Sequence, residues 1–159
     1  MKRTPDFYTD AEKYGKVGEE MFLSEHKRLD ITDVRNVRKY QDIDVDFLIH
    51  WKGKQINVEV KTDTVAFMTN NLVYEIVAHN ASGWGMITQA DYMYEVLLGL
   101  YSDVVKTIVV DMHKWKEFIK DRKMPKKLNV LKETDTVNLL CDIDDLRKYG
   151  AIIREKSYD

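Results

Sequence analysis

The stretch from Asp42 to Lys61, DIDVDFLIHWKGKQINVEVK, constrains this chain more than any other. Asp42, Asp44 and Asp46 alternate with Ile43, Val45 and Phe47. After Trp51-Lys52-Gly53-Lys54 the alternation resumes as Ile56-Asn57-Val58-Glu59-Val60-Lys61. Successive strand side chains point to opposite faces. The pattern therefore predicts a hairpin with Asn57, Glu59 and Lys61 on one face and Ile56, Val58 and Val60 on the other. The first arm would carry its three aspartates on a single face. Gly53 supplies the positive φ that a short hairpin turn needs. With the turn centred on Lys52–Gly53, Asp46 falls opposite Glu59, and Asp44 opposite Lys61.

Facing carboxylates destabilise a sheet. A divalent cation removes that penalty, and hard oxygen ligands suit magnesium or manganese. A lysine beside the carboxylates adds a fixed positive charge that can hold a water or an oxyanion. Metal, carboxylates and lysine together suit hydrolysis of a phosphodiester. The competing reading is a solvated hairpin face, and it is the better one for Asp42 alone. It explains Asp46, Glu59 and Lys61 poorly, because Glu-Val-Lys lies in a strand bracketed by apolar residues.

An aspartate, a hairpin turn and then Glu-x-Lys resemble the core of the PD-(D/E)XK nuclease superfamily. That superfamily includes many restriction endonucleases, phage exonucleases and archaeal Holliday-junction resolvases. Val45 stands where the proline of the family name would be. The resemblance implies an αβββαβ core: a mixed central sheet flanked by helices. It implies a Mg2+ (or Mn2+) ion held by Asp46, Glu59 and the Val60 carbonyl, with Lys61 positioning or activating a water, and DNA as substrate. Asp44 is the alternative to Asp46 as ligand.

Upstream, Thr9 to Leu29 reads as a helix. Thr9 and Glu12 match a capping box, and Tyr14, Val17 and Met21 form its apolar stripe. Its Gly15-Lys-Val-Gly-Glu19 resembles the first helix of the resolvase branch, where a helix glutamate joins the metal cluster or its water shell. Glu19 is the matching residue and Glu20 the second candidate. Downstream, Asn71 to His79 reads as a third strand, which would bring Glu75 toward the site if it paired beside Glu59. Asn80 to Gly85 is a loop whose Trp84, between two glycines, could stack on a base or plug the core. Thr88 then caps a helix from Gln89 to Tyr101, with Ala90, Met93, Tyr94, Leu97 and Tyr101 at helical spacing. A strand followed by such a helix resembles small phage-type members of the superfamily, and Gln89 would face the site.

Further on, Lys106 to Met112 reads as a buried strand and His113 to Arg122 as a short amphipathic helix with Trp115 and Phe118 inward. A late hairpin turns around Lys132–Asp135. Ile143 to Tyr149 forms a short helix that stops at Gly150. The hairpin and this helix form a C-terminal appendage to the core.

The 159 residues, 44% apolar and 33% charged with seven Gly and two Pro, suit one domain spanning 1–159. A net charge of −2 does not advertise a nucleic-acid binder. The positives cluster, however, in His26 to Arg28, Arg35 to Lys39 and Lys120 to Lys127. The one cysteine, Cys141, excludes an internal disulfide and a cysteine-rich zinc site. The start lacks a signal-peptide core, and no apolar run reaches the ~20 residues of a membrane span. The expected location is cytoplasmic, without membrane association. A homodimer, or a partner protein that supplies targeting, would complete the system. Against the nuclease stands a second function class: a nuclease-like module that grips nucleic acid or protein without cleaving. The retained acid, acid and lysine argue for the enzyme.

Overall fold

The computed structural model describes residues 7–159, and the side chains of 12–159. A six-stranded mixed sheet forms the centre. Its strands are β1 (Asp30–Asp33), β2 (Phe47–Trp51), β3 (Lys54–Asp63), β6 (Tyr92–Leu98), β7 (Val104–Asp111) and β10 (Ile152–Ser157), in the order β1-β2-β3-β6-β7-β10. Every neighbouring pair is antiparallel except β3 and β6, which run parallel. A second sheet has the order β5-β4-β9-β8, from β4 (Asn71–Ala78), β5 (Ala81–Ser82), β8 (Lys127–Leu131) and β9 (Thr136–Asp142). The helices are α1 (Phe7–Glu25), α2 (Arg38–Gln41), α3 (Ala66–Thr69), α4 (Trp84–Ile87), α5 (Met112–Lys120) and α6 (Ile143–Tyr149). The protein is thus mixed α/β, with a mixed central sheet between helical layers. No helix among the described residues is long and apolar enough to cross a membrane.

The hairpin at Lys52–Gly53 forms as the alternation requires. Phe47 pairs with Val58 and Trp51 with Lys54. Lys52 and Gly53 both take positive φ, 49° and 74°, which matches the right-handed twist of the flanking strands. One face of β3 then packs under α1: Val58, Val60, Tyr94, Val96 and Leu98 bury against Phe22. The approach is close enough that a Cβ on Gly18 would fall 2.3 Å from Thr62 Oγ1. The opposite face of the sheet packs on the second sheet and on α5 and α6. Met93, Leu97, Ile108 and Val110 meet Leu72, Tyr74, Cys141, Trp115, Phe118 and Leu146 there. Trp115 and Phe118 are core residues, as the amphipathic spacing predicts.

Four expectations are corrected. Asp42 to Asp46 is not a strand. The helical turn α2 runs on through hydrogen bonds from Asp42 N–H to Arg38 O and Asp44 N–H to Gln41 O. Asp44 then reverses the chain at φ 53°, a left-handed conformation that aspartate tolerates better than most residues. Asp42 ends on the surface, paired with Arg38 at 2.9 Å. The strand at Asn71–Ala78 exists but belongs to the second sheet, paired with β5 and β9. A parallel partner for β3 needs a long crossover, and β4 is part of that crossover rather than of the central sheet. Residues 89–101 are not a helix: β6 occupies their centre. Met93 through Leu98 are all buried, and a strand buried on both faces is a continuous apolar run that satisfies helical spacing by accident. Finally, Thr9 lies inside α1, which is described from Phe7 onward, rather than capping it.

The late segments fall close to the expected bounds. β7, α5, the β8–β9 hairpin and α6 all form, and Gly150 takes φ 84° after α6. The hairpin is not an appendage, because β9 pairs along β4 and completes the second sheet.

Candidate active site

Strand β3 puts Glu59 and Lys61 on the face away from α1. Asp44 comes from the left-handed turn, and Asp46 from just ahead of β2. A small apolar cluster of Val34, Val45, Leu48 and Ala90 anchors this turn. Two bonds from the segment ahead of β6 fix it further: Thr88 Oγ1 donates to Asp44 O at 3.0 Å and Gln89 N–H to Ile43 O at 2.9 Å. The Asp46 amide donates to Val58 O, and its carboxylate oxygen Oδ2 accepts from Val60 N–H at 3.0 Å. A side chain thus replaces a ladder bond where β2 and β3 begin to separate, which locks Asp46 beside Glu59-Val60-Lys61.

Lys61 Nζ lies 2.6 Å from Glu59 Oε1 and 3.4 Å from Asp44 Oδ2. Its ammonium also stands 4.6 Å from the centre of the Trp84 ring. The charges do not balance: Asp44, Asp46 and Glu59 face one ammonium. Burial pushes Glu59 up to about 9; Lys61 opposes this, while Asp46 and Asp44 add to it. Burial likewise raises Asp46, against the pull of the Val60 N–H and Lys61, with the Glu19 and Asp44 charges adding to the rise. Burial disfavours the charge on Lys61, but Glu59 and Asp44 outweigh it and hold its pKa above the ordinary lysine value. Burial and the neighbouring carboxylates thus favour a proton on Glu59, while Lys61 favours its charged form.

Glu59 Oε2 is buried without any partner, and Asp44 Oδ2 is buried with only the 3.4 Å ion pair to Lys61 and no hydrogen bond. An unsatisfied buried carboxylate oxygen is costly, and hard oxygen donors of this kind suit magnesium or manganese. The donor chemistry therefore fits such an ion. Among the described residues, however, no three His, Cys, Asp or Glu side chains already stand as a ligand set. Lys61 holds the oxygens that an ion would take.

The remaining expected site residues divide. Glu19 is near enough for its charge to act on Asp46, but it is ion-paired to Arg35. Arg35 is gripped on its other side by Asp33, through Nε at 2.9 Å and Nη2 at 2.6 Å, and its guanidinium lies 5.1 Å over the Phe47 ring. Glu20 is exposed and lines a surface groove with Lys13 and Lys16. Val60 lies between Glu59 and Lys61 with its side chain under α1. Glu75 is opposite Asn138 in the second sheet, so the pairing that would have carried it to Glu59 does not occur. Gln89 has an exposed side chain and serves through its backbone, whose carbonyl also accepts from Asn57 Nδ2.

Three residues join the site that the sequence pattern did not bring there. Arg35 neutralises Glu19, and Trp84 covers Lys61. Glu95 stands next to Lys61 across the parallel β3–β6 ladder. It is 2% exposed with Oε1 unpartnered, and burial, with Asp63 adding, raises its pKa well above the carboxylate range. An acid inside the run Tyr-Met-Tyr-Glu-Val-Leu-Leu was the available signal, and reading the run as a helix hid it. Compared with known proteins, the chain matches no family model, no curated protein and no solved structure.

Proposed function

We propose that this chain is a Mg2+- or Mn2+-dependent nuclease that hydrolyses DNA phosphodiester bonds. The observation that carries the reading is the Lys61 ammonium held between Glu59 and Asp44, with the second Glu59 carboxylate oxygen buried and unpartnered. The strand order supports it. α1 precedes an antiparallel meander β1-β2-β3, and β6 then returns parallel to β3. That is the connectivity implied by the PD-(D/E)XK resemblance. Here the crossover carries α3, the strands β4 and β5, and α4 in place of one helix.

In this reading Asp46, Glu59 and the Val60 carbonyl hold the ion. The ion, when bound, supplies Lewis-acid polarisation of the scissile phosphate. Val60 N–H holds the Asp46 carboxylate in place. Lys61 stays protonated, so it serves as a donor that orients water or a phosphate oxygen rather than as a base. Glu19 remains with Arg35 and acts on the site through its charge. A second reading is favoured by the ion pairs that already occupy Glu59, Asp44 and Glu19: a nuclease-like module that binds nucleic acid or protein without cutting. Incubation with duplex, nicked, junction and single-stranded DNA, in magnesium, manganese or chelator, separates the two. Cleavage that chelator abolishes supports the enzyme. Binding without cleavage in every metal supports the module.

A further inference from the structure

We propose that Trp84 is a positioning residue for Lys61, its indole forming a seat that holds the ammonium at the site when Glu59 is engaged elsewhere. The role in turnover rests on the nuclease reading above; the seat itself does not.

An ammonium has three N–H donors and no acceptor. Two of its contacts are with Glu59 Oε1 at 2.6 Å and Asp44 Oδ2 at 3.4 Å. A third is with the Trp84 ring, whose centre is 4.6 Å away, inside the ~6 Å range in which an aromatic face attracts a cation, tryptophan most strongly. A cation held by Asp46 and Glu59 competes with the Glu59 pair, the shorter of the two. It leaves the longer Asp44 contact and the ring face. Without the ring face, the lysine side chain regains rotamer freedom.

The ring is itself fixed. It rests against Tyr74, centroid to centroid 5.5 Å, and Tyr74 rests against Trp115 at 4.4 Å in the core. The backbone on both sides of Trp84 approaches β4 at a distance only glycine permits. A Cβ on Gly83 would fall 2.4 Å from the Glu75 carbonyl oxygen, and one on Gly85 would fall 2.9 Å from the same atom. Gly83 N–H donates to Ile76 O at 3.1 Å, which closes the seat. Gly-Trp-Gly is thus a mounting for one indole, and that indole faces Lys61.

The test compares wild type with Trp84→Phe and Trp84→Leu. Three quantities are read: the NMR shift of the Lys61 ε-methylene protons, the manganese Kd by calorimetry, and kcat on a cleaved DNA substrate. The proposal expects an upfield ring-current shift at Lys61 in wild type, reduced in the Phe variant and lost in the Leu variant. It expects manganese Kd to stay within about twofold and kcat to fall about tenfold for Leu and less for Phe. A Lys61 shift unchanged in Trp84→Leu overturns the seat. Equal kcat in all three proteins overturns its role in turnover. Should the Leu variant fail to fold, the Phe variant and Gly83→Ala, which pushes α4 off β4, decide by the same shift. A wild type that cleaves nothing overturns the nuclease reading, and the Lys61 shift still decides the seat.

Discussion

The two faces of β3 differ in everything but their backbone. One carries Val58 and Val60 into an apolar layer under α1, dry and close-packed at Gly18. The other carries Glu59 and Lys61 into a crowded set of charges with unpartnered oxygens. A single alternation of side chains thus supplies both the glue and the chemistry. The glue must be rigid, because Val60 N–H also holds the Asp46 carboxylate. That bond belongs to the backbone the two faces share, while their side chains contact separate sets of residues. If that is right, damage to the apolar face should cost stability and leave ligand chemistry alone, while damage to the charged face should do the reverse.

The largest effect is expected from the apolar face. Phe22 is 1% exposed and stacks on Phe47 at 4.9 Å and edge-on to Tyr94 at 5.2 Å. Phe22→Ala should destabilise the fold by about 3–5 kcal/mol, measured by chemical denaturation. The folded fraction should still bind manganese as wild type does. A large loss of metal affinity with little loss of stability would mean that the two faces are not separable.

On the charged face, Lys61→Ala should lower cleavage by about 10²-fold or more and leave manganese binding largely intact. Glu59→Ala should lose both. A carboxylate ligates a hard cation and an ammonium cannot. Parallel calorimetry and cleavage assays decide. Full cleavage by Lys61→Ala would make Lys61 a structural ion-pair partner and move the non-cleaving module ahead.

A smaller effect probes the contact between α1 and β3. Gly18→Ala gains helix propensity of about 1 kcal/mol, but its Cβ meets Thr62 Oγ1 at 2.3 Å and Val60 Cγ1 at 3.3 Å. Overpacking costs about 1–3 kcal/mol, so a net loss of about 1 kcal/mol is expected in thermal unfolding. Thr62→Ala in the same chain should recover much of it, since it removes the clashing atom. Failure of that rescue would place the strain elsewhere.

The hairpin was legible because strict alternation on both sides of Lys52–Gly53 leaves only one register that buries Val58 and Val60. Glu59 and Lys61 followed from it. Asp46 reached the site by a different route: through its side-chain bond to Val60 in place of regular pairing. The aspartate run Asp42 to Asp46 misled because alternation is necessary for a strand and not sufficient for one. The helical bonds of Arg38 to Asp44 are local and won. Glu95 and Trp84 were not legible as site residues, since their approach to Lys61 depends on which strand becomes the parallel partner of β3. No local pattern in residues 64–91 carries that choice. Arg35 was visible only as one charge in a basic run, and its pairing with Glu19 and Asp33 is tertiary.

The smallest signal is a single proton, and it bears on how the charged face balances itself. Glu59 has its pKa pushed from 4.5 to about 9, chiefly by burial. A raised carboxyl pKa stabilises the folded chain fully below the unfolded value, and this contribution is lost as pH climbs through about 9. The metal-free protein should therefore lose stability steadily over that window. Glu95, raised in the same direction, adds to the slope but touches no expected ligand. Glu95→Gln should flatten the slope without changing metal uptake. Manganese bound at Glu59 must displace its proton, so affinity should rise with pH, and about one proton should be released per ion near pH 7. Calorimetry in two buffers of different ionisation enthalpy counts that proton directly. A count near zero at pH 7 would show Glu59 already ionised against Lys61. The two faces of β3 would then differ less than the excess of carboxylates suggests, with a settled ion pair opposite a settled apolar layer.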